Sequence, residues 1–134
     1  MEEIEIRKKE FTYRGKTLEE LKKLDVREFA KILRARERRT TLRQFQEIEK
    51  FVNRAKGKES KNKKIKTHNR NIIIVPEMVE MKIQVYNGHQ FIPIEITGEM
   101  LGHRLGEFSS TRARIKHTKA GVGATKGTKH KSKK

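Results

Sequence analysis

The sequence predicts an α+β fold: a small three-stranded sheet packed with short helices, a helical basic extension before it, and a basic tail behind it. Three observations point there. Asn87-Gly88 stands between two β-rich runs, 81–86 and 89–96, which is the strongest short-range hairpin signal a chain can carry. Upstream, apolar residues recur at helical spacing behind two capping boxes. After Glu107 the chain uses no acidic residue, while Arg112, Arg114, Lys116, Lys119, Lys126, Lys129, Lys131, Lys133 and Lys134 supply +9 of the net +17. The expected segments are a helical extension over 1–57, a basic linker or arm over 58–71, the α+β core over 72–108, and a tail over 109–134.

Thr17-Leu18-Glu19-Glu20 is the first capping box, and Leu18, Leu21 and Leu24 give its helix an apolar side. Asp25 through Glu28 repeats the device. Val26, Phe29, Ala30 and Leu33 then form an apolar stripe, with Arg27, Lys31, Arg34 and Arg38 on the opposite, cationic side of one helix. A third helix fits 41–56, with Leu42, Phe45, Ile48, Val52 and Ala55 inward and Gly57 as its C-cap. Residues 26–56 hold ten Lys/Arg against four Glu, too skewed a balance for an ordinary solvated helical hairpin.

The arm carries Lys58, Lys61, Lys63, Lys64, Lys66 and Arg70 against Glu59 alone and has almost no apolar side chains, so it reads as a loop that clamps phosphates. Ile72-Ile73-Ile74-Val75, ended by Pro76, reads as an interior strand. A two-residue turn at Asn87-Gly88 would pair Tyr86 with His89. Met81, Ile83, Val85, Ile92 and Ile94 then face the core, while Lys82, Gln84, Tyr86, His89 and Phe91 face water. Pro93 lacks a ladder donor, which marks its strand as an edge. Thr97 is expected to cap a last short helix with Met100, Leu101 and Leu105 inward and His103 and Arg104 outward. Gly102 and Gly106 allow close approach there, and Gly106 would end the helix. Lys alternating with Gly, Ala, Thr and Ser in the tail cannot bury enough surface to offset its ordering entropy, so the tail should be disordered alone.

Composition excludes much. Charged residues (38%) outnumber hydrophobic ones (33%), so the 134 residues can close one small core but cannot bury their whole length. The chain has no cysteine, no apolar run long enough to span a membrane and no signal-peptide pattern, which fits a cytosolic or nuclear protein. His68, His89, His103, His117 and His130 are scattered without carboxylates at ligand spacing, and Gly121, Gly123 and Gly127 lack the order of a phosphate loop. Ser109, Ser110 and Thr111 have no partner His/Asp arrangement. No enzyme, cofactor, metal or small-molecule substrate is expected. A net +17 instead asks for a polyanion. RNA is the first reading. An architectural DNA-binding protein is the alternative, and a membrane-surface protein using Arg27, Lys31 and Arg34 is a third.

Ile65-Lys66-Thr67, Pro76, Asn87-Gly88-His89, Pro93, Thr97, the run Met100-Leu101-Gly102-His103-Arg104-Leu105-Gly106-Glu107-Phe108, and Thr111-Arg112 resemble the small-subunit ribosomal protein nineteen family. The helical N-terminal segment resembles the extension of its archaeal and eukaryotic members. The resemblance implies a structural, cytoplasmic rRNA-binding protein of the small ribosomal subunit, lying in the head against the 3′ major domain. It also implies a neighbour, the thirteenth small-subunit protein, and a C-terminal tail directed toward A-site tRNA. By position, the family's RNA-facing residues fall on Lys66, Thr67, Arg70, Asn87, Gly88, His103, Arg104, Thr111, Arg112 and Arg114. The basic flanks add Lys64, Lys116 and His117 to the RNA-binding set, and the hairpin tip adds His89.

Overall fold

The computed structural model describes residues 10–115 together with 121, 127 and 130. The tail expected to be disordered therefore lies largely outside the described residues, as do Lys116 and His117.

Among the described residues the first elements form an unforeseen hairpin, β1 (Thr12–Tyr13) and β2 (Lys16–Thr17). Its two-residue turn has both central residues in the left-handed region, Arg14 at φ 48° and Gly15 at φ 80°, which is the geometry that suits a tight hairpin. Thr17 then starts α1 (Leu18–Lys22) through the expected capping box: its backbone N–H donates to the Glu20 carboxylate at 3.3 Å.

The cationic helix expected from Val26 onward is in fact two. α2 (Val26–Ile32) begins where the Asp25 N–H donates to the Glu28 carboxylate at 3.4 Å. Leu33 and Arg34 are extended, and α3 (Ala35–Arg43) follows. The break is held by Arg38, whose guanidinium donates to the carbonyls of Ala30 (3.3 Å), Lys31 (3.0 Å) and Leu33 (3.1 Å). The Ala30 carbonyl also accepts from the Leu33 N–H at 3.2 Å, and the other two lie where α2 has no further turn to bond them. Arg38 is thus a cap. Arg38→Ala should lower stability by about 1 kcal/mol in a urea titration, whereas exposed Arg36→Ala should stay within about 0.5 kcal/mol.

The next helix, α4 (Phe45–Glu59), starts later than expected and runs straight through Gly57, which is not its cap. Leu42 belongs to α3 and is 47% exposed rather than inward. The buried position on that helix is Thr41, whose hydroxyl donates to the Glu37 carbonyl at 2.8 Å. Ile48, Phe51, Val52 and Ala55 form the buried side of α4 and continue one apolar cluster with Leu21, Phe29, Ile73, Ile83, Val85 and Leu105. The N-terminal helices therefore share a core with the 72–108 block.

The sheet has three strands in the order β3-β4-β5, but its first strand is not the one expected. β3 (Ile65–Thr67) comes from the basic arm and runs parallel to β4 (Lys82–Tyr86). β5 (Phe91–Glu95) pairs antiparallel with β4 on the other side and is an edge, which accommodates Pro93. Ile72–Val75 is buried but lies outside the sheet. It forms a narrow ribbon with the later chain: the Ile74 N–H donates to His103 at 2.8 Å, and the Leu105 N–H donates to Ile72 at 3.0 Å. Only Ile73 and Arg104 form a bridge there. Pro76, which cannot donate, and Gly102 at φ 80° close the ribbon at either side.

The hairpin register also differs. Tyr86 faces Phe91, not His89, and the loop holds four residues, 87–90. Gly88 takes φ 96° but Asn87 is not left-handed. Its side-chain oxygen instead accepts from the N–H groups of His89 and Gln90, both at 2.8 Å, an Asx turn in place of the two-residue one. A slip of two residues preserves which side chains face inward, so Met81, Ile83, Val85 and Ile94 are buried as expected. The last helix is replaced by two short 3₁₀ turns, Gly98–Met100 and Leu105–Phe108. Gly102, not Gly106, is the left-handed residue. Both glycines do permit close approach: an added Cβ would meet Leu33 at 2.9 Å from position 102 and Arg70 at 2.9 Å from position 106.

Candidate nucleic-acid interface

β3 and β4 run in the same direction, so their C-terminal ends and the start of β5 fall at one end of the sheet. Lys64 and Lys66 are exposed on the β3 arm, and His68 follows it. Gly88 and His89 are exposed at the hairpin tip, with Asn87 half-buried beside them. Thr67 is less available: it is 9% exposed and its hydroxyl oxygen accepts from the Asn69 N–H at 3.0 Å.

Arg70 ties this end to the root of the tail. Its guanidinium donates to the carbonyl of Tyr86 at 2.7 Å and to those of Gly106 and Ser109, both at 2.6 Å. The buried Ser109 hydroxyl adds a bond to the Val85 carbonyl at 3.2 Å. Thr111, Arg112 and Arg114 leave from that anchored point and are exposed. Arg70 is thus occupied within the protein, as a clamp between hairpin and tail. His103 and Arg104 have other ties. His103 Nδ1 lies 2.8 Å from the Glu107 carboxylate, and half-buried Arg104 donates to the Thr40 hydroxyl of α3 at 3.4 Å.

The electrostatics of this end are one-sided. Segments 60–76, 81–94 and 108–115 contain no Asp or Glu. Three chain segments remote in sequence therefore meet there without contributing a carboxylate of their own, which favours an anion, while Glu107 stands beside His103 at the margin. Among the described residues no group of three His, Cys, Asp or Glu could hold a metal, and no helix is long and apolar enough to cross a membrane.

Residues 34–117 match the model of the family described as ribosomal protein S19. The chain belongs to that family. A curated relative from Methanocella arvoryzae, named small ribosomal subunit protein uS19, is 49% identical over 125 residues, covering 92% of this chain and 87% of its own. A second of the same name, from Methanococcoides burtonii, is 48% identical over 125 residues, covering 92% and 88%. As an S19 protein the chain is a structural, non-enzymatic constituent of the small ribosomal subunit, acting in translation in the cytoplasmic ribosome. rRNA binding is general to that family, which sets the ribosomal reading above the DNA-binding and membrane-surface ones.

Sequence reasoning missed the internal duties of Arg38 and Arg70, because a cation's partner is decided by tertiary neighbours and not by spacing. It also missed that His68 joins Tyr86 and Phe91 at the hairpin end, with ring centroids 4.6 and 5.1 Å away. Alternation placed Tyr86 and Phe91 outward together, and a strand assignment for Ile65-Lys66-Thr67 would have brought His68 beside them.

Proposed function

We propose that the protein grips small-subunit rRNA in the head, within the 3′ major domain, through the acid-free end of its sheet. Lys66, the Asn87–Gly88–His89 tip and Thr111, Arg112 and Arg114 supply the contacts, Lys64 adds one from the other end of β3, and Arg104 and His103 extend them toward α3. Lys116 and His117 continue the same cationic run along the sequence. The carrying observation is that three acid-free segments converge on one end of the fold while Arg70 holds the tail root against the hairpin. Phosphate contacts position such a protein, and RNA shape supplies the choice of site.

The tail then extends toward A-site tRNA. Fully extended, the 26 residues from Ser109 to Lys134 span at most about 94 Å, ample to leave the docking site. The thirteenth small-subunit protein is the protein neighbour in this reading. Replacing Arg112 and Arg114 together by alanine should weaken binding to a small-subunit rRNA head fragment. It should also lower the slope of log affinity against log salt by about 1.4–1.8, the loss of two phosphate contacts. An unchanged slope would show that neither residue touches phosphate.

A further inference from the structure

The outer face of the sheet holds three aromatic rings at its hairpin end, one from each strand or its continuation. His68 and Tyr86 lie 4.6 Å apart between centroids, His68 and Phe91 5.1 Å, and Tyr86 and Phe91 5.1 Å. Lys66 Nζ stands 5.1 Å from the centre of the Phe91 ring. None of the three rings joins the buried core: His68 is exposed, and Tyr86 and Phe91 are half-buried. A cross-strand aromatic pair alone is ordinary sheet stabilisation. Here the pair carries a third ring and a cation, and it sits among segments without a single carboxylate. Rings left partly in water at the centre of a cationic surface offer π-faces beside phosphate ligands.

We infer that His68, Tyr86 and Phe91, flanked by Lys66, form a stacking platform for an unpaired base of the bound RNA. This rests on the RNA-binding reading above and refines it. Paired bases in an A-form helix have both faces covered by their neighbours, so they cannot stack on protein; an unstacked base can. The Arg70 bond to the Tyr86 carbonyl fixes the platform relative to the tail root, so the phosphates flanking a stacked base fall to Lys66 and the tail-root arginines.

The chain has two tyrosines, Tyr13 and Tyr86, and no tryptophan, so full-length Tyr13→Phe reports on Tyr86 alone by fluorescence. Titration with single-stranded ten-nucleotide oligoadenylate should quench that emission, whereas a fully paired RNA duplex of equal charge should bind without quenching it. In filter binding, the double variant Tyr86→Leu/Phe91→Leu keeps apolar bulk but removes two π-faces. It should lose about tenfold in affinity for the single strand while duplex affinity and salt slope stay unchanged. Unquenched Tyr86 with both RNAs bound, or equal affinity losses for both, would overturn the platform and leave the RNA-binding reading standing. Unaltered single-strand affinity in the leucine variant, as a protein occupant of this face would give, would also overturn it. Failure of the unmodified chain to bind either RNA would remove the parent reading as well.

Discussion

Met81→Asp is expected to leave the chain without a cooperative thermal transition. Met81 is 5% exposed and belongs to the same apolar cluster as Ile83, Val85 and Leu105. Its backbone is fixed on both sides, the N–H donating to Met78 and the carbonyl accepting from Ile96, each at 3.1 Å. The side chain therefore cannot swing outward without breaking the entry to β4. A carboxylate held at this buried position costs about 4–5 kcal/mol or more, comparable to the whole stability of a small domain. Lys82→Ala, one residue on and exposed on the outer face, should change stability by less than about 0.5 kcal/mol. Calorimetry of the pair checks the assignment. A sharp transition for Met81→Asp near the parent temperature would mean that the inner face of the sheet is wrongly identified.

Arg70→Ala should be the most damaging loss of a cation. Three carbonyls from two remote segments, Tyr86 on one side and Gly106 and Ser109 on the other, share its guanidinium. Charge-assisted bonds of this kind are stronger than neutral ones, but water can partly replace them at a half-buried site. A net cost of about 2–4 kcal/mol follows, or about 10–15 °C in melting temperature for a domain of this size. Arg70→Lys should rescue little, because an ammonium cannot reproduce the planar fork that reaches three acceptors. Both variants are expected to lower stability while the salt slope of RNA binding is unchanged. A stable Arg70→Lys protein with a reduced slope would assign Arg70 to the phosphates instead.

The physical reasons for agreement and error differ between fold and site. The inward face of the hairpin was legible because side-chain alternation has period two, and a two-residue register slip cannot disturb it. The register itself was not legible: Asn87 satisfies its loop through a side-chain oxygen, where the dipeptide alone suggests a tighter turn. Ile72–Val75 shows that a β-branched run reports burial and not pairing, since its bonds go to a glycine-kinked loop instead of a ladder. β3 was hidden inside a cationic stretch because only Ile65 and Thr67 turn inward. Arg14-Gly15 carries none of the Asn/Asp preference that usually marks its turn type. For the site, the exposed Lys64 and Lys66 of the arm and Arg112 and Arg114 at the tail root followed from charge pattern alone. Arg38 and Arg70 did not, because their acceptors lie in other elements.

The most direct test is a structure of the assembled small subunit at side-chain resolution. The expected result is rRNA phosphates within hydrogen-bond reach of Lys66, the 87–89 loop and Arg112, with the Arg70 clamp intact beneath them. Finding that end of the sheet turned to solvent or covered by protein alone, with rRNA held only by the N-terminal helices, would contradict it.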